Sequence, residues 1–166
     1  MDLKEIQSIQ QLLFSMPRAT DSQPEILKDP GSERLENLFN TNPVIALDVE
    51  YSIANNLYKR KLAYIQCLFL QSNTIAILTY DNQFQGFPNT FFKWLEGQVV
   101  ILGFSMMTDL ALLWIQFKEY APDEHVLLYK VFDFFCFLKF IYNGGDKKYS
   151  LEYWANKLLN WQLNKT

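Results

Sequence analysis

The segment Val44-Ile45-Ala46-Leu47-Asp48-Val49-Glu50-Tyr51 carries two carboxylates, Asp48 and Glu50, two residues apart at the end of an apolar run. In a strand, side chains at i and i+2 leave the same face, so this spacing predicts two acids side by side. Such a pair repels itself and costs desolvation. A hard divalent cation, Mg2+ or Mn2+, relieves both, because it takes carboxylate oxygens and cancels their charge. The plain alternative is an apolar strand ending in a solvated turn. A third acid, Asp109, follows the apolar run 99–103 near the start of a helical pattern. Strand ends on one edge of an α/β sheet come together, which would bring Asp109 to Asp48 and Glu50. Its plain alternative is an Asp favoured by the helix N-terminal dipole.

The elements that must position these acids follow from periodicity. Residues 2–16 space Leu3, Ile6, Ile9, Leu12 and Leu13 as one helix face, and residues 17–31, with Pro17, Pro24 and Pro30-Gly31, mark a loop. Residues 1–31 are accordingly expected as an N-terminal helix and linker, and 32–166 as the domain. Ser32 is expected to cap a helix with Leu35, Leu38 and Phe39 as its apolar face. Residues 62–70 and 74–80 flank a polar turn and predict a hairpin, so the first three strands are antiparallel neighbours. From Pro88 the pattern alternates. A helix spans 89–96, a buried strand 99–103, a helix 106–117 and a fifth strand 129–132. A helix to about Tyr142 follows, then a turn at 143–146, and a last helix from 151 capped by Ser150. A meander followed by alternating units is an α/β fold with a mixed sheet.

Composition narrows the classes. A chain of 166 residues with 49% hydrophobic and 16% aromatic content supplies one packed domain and excludes a disordered chain. The net charge of −3 argues against broad, unspecific phosphate binding, yet it leaves open a nucleic-acid enzyme whose positive charge comes from metal ions. Cys67 and Cys136 both sit in apolar runs and are expected as reduced core residues. No signal-peptide order opens the chain, and no apolar run is long enough to span a bilayer. The expected setting is soluble and intracellular, nucleus or cytoplasm, with no membrane partner.

Four stretches in order, "IALDVE", "LAYIQ", "ILGFSMMTDLALL" and "YSLEYWANKLLNWQLNKT", resemble the DnaQ-like 3′–5′ exonucleases, in particular the RNase D, Werner-exonuclease and Mut-7-like branch. The resemblance covers about residues 32–166. It implies a ribonuclease H-like three-layer fold and two-metal hydrolysis of the terminal phosphodiester at a single-stranded RNA or DNA 3′ end, with Mg2+ or Mn2+. Asp48 would bridge both metals, Glu50 would hold one and help position the attacking water, and Asp109 would serve the second. The family closes its site with a Tyr and, four residues later, an Asp on a helix downstream of the final segment. That motif is missing here, so the domain is expected to be C-terminally incomplete, either a fragment or a short form that no longer cleaves. The one Tyr-x-x-x-Asp, Tyr142 to Asp146, lies on the wrong side of "SLEYW". A non-catalytic module binding nucleic acid or protein is the alternative. An apolar sheet face left uncovered would accompany the missing helix, with the aromatic helix and the Trp154/Trp161 pair either partly exposed or ordinary core.

Other residues carry open readings. Lys59, Arg60 and Lys61 either touch phosphate or form a solvated loop. Gln66 and Asp133 each need a partner, backbone or substrate. Phe104 either stacks on a terminal base or packs in the core. The single His, His125, reads as a surface residue.

Overall fold

In the computed structural model, the described residues are 23–52, 59–82, 84, 86–120, 128–142 and 150–159. The expected helix over 2–16, His125, Asp146 and Trp161 lie outside them. Six strands form one sheet: β1 (Glu25–Lys28), β2 (Val44–Tyr51), β3 (Leu62–Phe69), β4 (Thr74–Thr79), β5 (Val100–Gly103) and β6 (Val131–Asp133). Their spatial order is β1-β4-β3-β2-β5-β6. β2, β3 and β4 pair antiparallel, as their hairpin pattern predicts; β5 joins β2, and β6 joins β5, both in parallel. Among the described residues five α-helices accompany them: α1 (Ser32–Thr41), α2 (Phe87–Leu95), α3 (Met107–Phe117), α4 (Phe134–Ile141) and α5 (Leu151–Leu159).

The stretch expected as a linker contains β1, which pairs parallel to β4 through Ile26↔Ile75 and Leu27↔Ala76. Asp29, at a left-handed φ of 45°, fastens it by accepting from the Thr79 backbone N–H at 2.7 Å and from the Thr79 hydroxyl. Of its four side chains only Leu27 packs on the core, so β1 has no alternation to announce it. Helix α1 buries Leu35, Leu38 and Phe39 as expected, but Gly31 is the N-cap, without a side-chain bond, and Ser32 is the first helical residue. Helix α2 starts at Phe87, two residues earlier than expected, because Pro88 sits in the first turn where its missing N–H costs nothing. Ser150 does cap α5, its hydroxyl accepting from the Tyr153 N–H at 3.2 Å.

One face of the sheet (Ile45, Leu47, Val49, Ile65, Cys67, Leu78, Ile101) is buried beneath α1, α2 and α3 in a single core. Phe39 is its hub, packing its ring against Phe69, Phe87, Phe91 and Trp94. Asn42, fully buried, ties the end of α1 to the β3–β4 turn. Its side-chain oxygen accepts from the N–H groups of Gln71 and Ser72, and its backbone carbonyl accepts from the Trp94 indole. Among the described residues the other face is partly open. Helix α4 shows Phe134, Phe137 and Ile141 to solvent and leaves Phe140 85% exposed. Trp154 is instead buried, against Tyr142 and Tyr153. Cys67 is buried as expected, whereas Cys136 is exposed, because α4 turns that side outward. No helix among the described residues is long and apolar enough to cross a membrane.

Candidate metal centre at the sheet edge

β2, β5 and β6 run parallel, so their C-terminal ends share one edge of the sheet, where loops between parallel strands and helices gather functional groups. Asp48 and Glu50 stand exposed on the same face of β2, alternating with buried Leu47 and Val49. Asp109 lies in the first turn of α3, the helix that follows β5. It is only 9% exposed, and its carboxyl is pushed up to about 7, first by burial and then by the negative charges of Asp48, Glu50 and Asp133. The predicted trio is thus brought within electrostatic reach.

Asp133, which needs a partner, finds three of them in backbone N–H groups. Oδ1 accepts from Ser105 N–H and Phe135 N–H, and Oδ2 from Met106 N–H, each at 2.9 Å. It caps α4 and clamps the β5–α3 turn, including Ser105 at a left-handed φ of 60°. Asp109 sits three residues beyond that clamp, so Asp133 positions the helix that carries it. An Asp at a strand–helix boundary was the available sequence signal.

Gly103 ends β5 against this turn. A Cβ there would run into the side chain of buried Met106, at its Sδ and Cγ atoms. Met106 is buried, so its side chain must take another rotamer and repack in the core to relieve the collision. Gly103→Ala is therefore expected to cost about 1–3 kcal/mol in urea denaturation, with Met106→Ala added to it recovering part of the loss.

Asp109 also makes a pH prediction for the metal-free chain. Its folded pKa lies above its ordinary value of 3.8, so the unfolded state binds fewer protons between about pH 4 and 7 and stability falls across that window. Asp109→Asn removes the effect. The variant should match the parent near pH 4 and exceed it by up to about 4 kcal/mol above pH 7, read from unfolding midpoints in chelator.

The remaining candidates divide. Gln66 is the register partner of Asp48 and, half-buried, lines a groove of about 550 Å³ with it. Phe104 lines the same groove and meets Phe135 edge to face at 5.5 Å between ring centres. Lys61 is exposed just before β3, its N–H donating to the Ser52 hydroxyl, while Arg60 lies over the Tyr51 ring. As oxygen donors the three acids suit a hard cation, and their mutual repulsion is what a cation would cancel. Among the described residues, however, no three His, Cys, Asp or Glu side chains stand in an arrangement that could hold a metal ion.

This mixed sheet has a ribonuclease H-like fold that it shares with solved structures. No family model matches the chain, and no curated protein matches it in sequence. Solved structures do. NrnC of Brucella melitensis bound to pGG matches with a TM-score of 0.62 at 17% identity, over 87% of this chain and 65% of that one. The EXO domain of Aedes aegypti Nibbler matches at 0.63 and 10% identity, over 91% and 75%. Trypanosoma brucei RNase D in complex with RNA U12 matches at 0.66 and 14% identity, over 86% and 49%. NrnC has also been solved with bound Mg2+. The chain thus spans about two thirds of NrnC and half of that RNase D chain.

Proposed function

We propose that this chain is a metal-dependent nuclease domain that shortens single-stranded nucleic acid from its 3′ end. The observation that carries the reading is the convergence of Asp48 and Glu50, on one face of the central strand, with Asp109 at the head of the helix after the neighbouring parallel strand. Asp48, Glu50 and Asp109 would hold Mg2+ or Mn2+. The metal supplies Lewis acidity that activates water and neutralises charge on the leaving 3′ oxygen. The chain's own groups do the rest. Gln66 and Phe104, in the groove beside Asp48, orient the terminal nucleotide, the aromatic ring offering a face or edge to the base. Lys61 neutralises phosphate further along the strand. The RNA U12 bound by RNase D, the pGG bound by NrnC and the Mg2+ held by NrnC support the substrate class and the ion.

The test is Mn2+-dependent digestion of 5′-labelled single-stranded RNA and DNA. Stepwise 3′ shortening that Asp48→Ala abolishes bears the reading out, and the faster substrate identifies the preferred sugar. A second reading has its own observation: the acids do not close around an ion among the described residues. On that reading the domain binds nucleic acid or a protein partner without cleaving. Retention of labelled RNA by folded protein that leaves it full length would favour it.

A further inference from the structure

The acid pair has an aromatic neighbour on β3. Tyr64 is the register partner of Glu50, as Gln66 is of Asp48. Residues directly opposite in an antiparallel pair share a face, with Cβ atoms about 5 Å apart. Buried Ile65 and Cys67, which alternate with Tyr64 and Gln66, fix that face as the one turned away from the helical core. Tyr64 is 48% exposed there. Among the described residues it is the one large hydrophobic side chain of β2, β3 and β4 that stands exposed. Its other cross-strand neighbour is Thr79, whose hydroxyl is engaged by Asp29. Among the described residues none hydrogen-bonds the phenol or packs a ring against it. An aromatic face bared on an inner strand is costly to leave in water, and a flat apolar partner relieves that cost.

We infer that the Tyr64 ring is the platform for the base of the penultimate nucleotide, the one on the 5′ side of the scissile phosphate; this rests on the nuclease reading. The acids of β2 fix where the phosphodiester reacts, and the strands beside β2 fix what lies to either side. On one side β5 leads into Phe104 and the groove that takes the terminal nucleotide. On the other side is β3, whose Tyr64 stands outside that groove. Adjacent strands are about 4.8 Å apart, so β3 and β5 are separated by a span that two nucleotides joined by one phosphate can straddle. A single strand with its last phosphate at Asp48 and Glu50 therefore passes from Phe104 over β2 to Tyr64. Every base has a π face, so this contact adds affinity without reading sequence. The ring carries the contact, and the hydroxyl does not.

The test reads binding of 5′-labelled single-stranded DNA by fluorescence anisotropy in Ca2+, which takes the same oxygen ligands but is a weaker Lewis acid. Shortening of the same strands in Mn2+ is followed in parallel. Each strand is intact or has one abasic site, at the penultimate or at the fifth nucleotide from the 3′ end. Loss of the penultimate base is expected to weaken binding to the parent about tenfold. Tyr64→Ala should weaken binding of the intact strand by the same factor and lose nothing more when the penultimate base is absent. Tyr64→Phe should respond as the parent does, and the abasic site at the fifth nucleotide should affect all three proteins equally. Three results overturn the inference: a parent indifferent to the penultimate base, a Tyr64→Ala chain that still responds to it in full, or a Tyr64→Phe chain that behaves like Tyr64→Ala. With shortening by the parent in Mn2+, they leave the nuclease reading standing. Absent shortening with the expected binding pattern removes the nuclease reading alone, and a parent that binds no single strand removes both.

Discussion

Asp48→Ala is expected to lower Mn2+-dependent 3′ shortening by at least about a thousandfold, roughly 4 kcal/mol of barrier, while the protein folds as well as before or better. The two halves of this expectation have different origins. Asp48 is exposed and faces other acids, so its removal leaves no cavity, and it lowers the repulsion that keeps Asp109 from ionising. In the metal-free chain the variant should therefore unfold at the same urea concentration or higher. With metal the sign is expected to reverse, because one of the carboxylates proposed to hold the ion is gone. Rates on labelled RNA and unfolding curves with and without Mn2+, measured on both proteins, give four numbers. Lost cleavage together with lost stability in chelator would point to misfolding and sink the assignment. Unchanged cleavage would remove Asp48 from the site.

Asp133→Ala should show the opposite signature, a stability loss of about 3 kcal/mol with or without metal. One carboxylate accepts three backbone N–H groups from two separate connections, the β5–α3 turn and the start of α4. Alanine leaves all three donors without that acceptor, a loss that release of Ser105 from its left-handed conformation, worth about 1 kcal/mol, offsets only in part. Asparagine keeps the shape but offers one acceptor oxygen in place of two, so an intermediate loss is expected. Urea midpoints for the parent, Asn and Ala forms should fall in that order. A loss below about 1 kcal/mol for the alanine form would mean that water serves these amides as well as the carboxylate does.

What the linear sequence determined is what each element carries on its own faces. The Asp-x-Glu at the end of an apolar run set two acids on one side of β2, whatever that strand paired with. The 3.6-residue spacing of Leu35, Leu38 and Phe39 set the buried side of α1, and the polar turn between two β-rich runs set the β3–β4 hairpin. All of these depend on neighbours within a few residues, where backbone geometry allows few outcomes. The tertiary structure alone decided the rest. β1 exists because Ile26 and Leu27 find β4 nearly fifty residues away and Asp29 pins Thr79, a pairing that four mostly exposed residues cannot encode. Cys136 faces solvent although its neighbours are aromatic, because nothing among the described residues covers that side of α4. Asp133 became the clamp of the acidic edge, and the Asp109 carboxyl rose to about 7, only once β5 and β6 lay side by side. Burial and charge repulsion depend on distances through space, and those are settled only when non-local pairing brings the strands together.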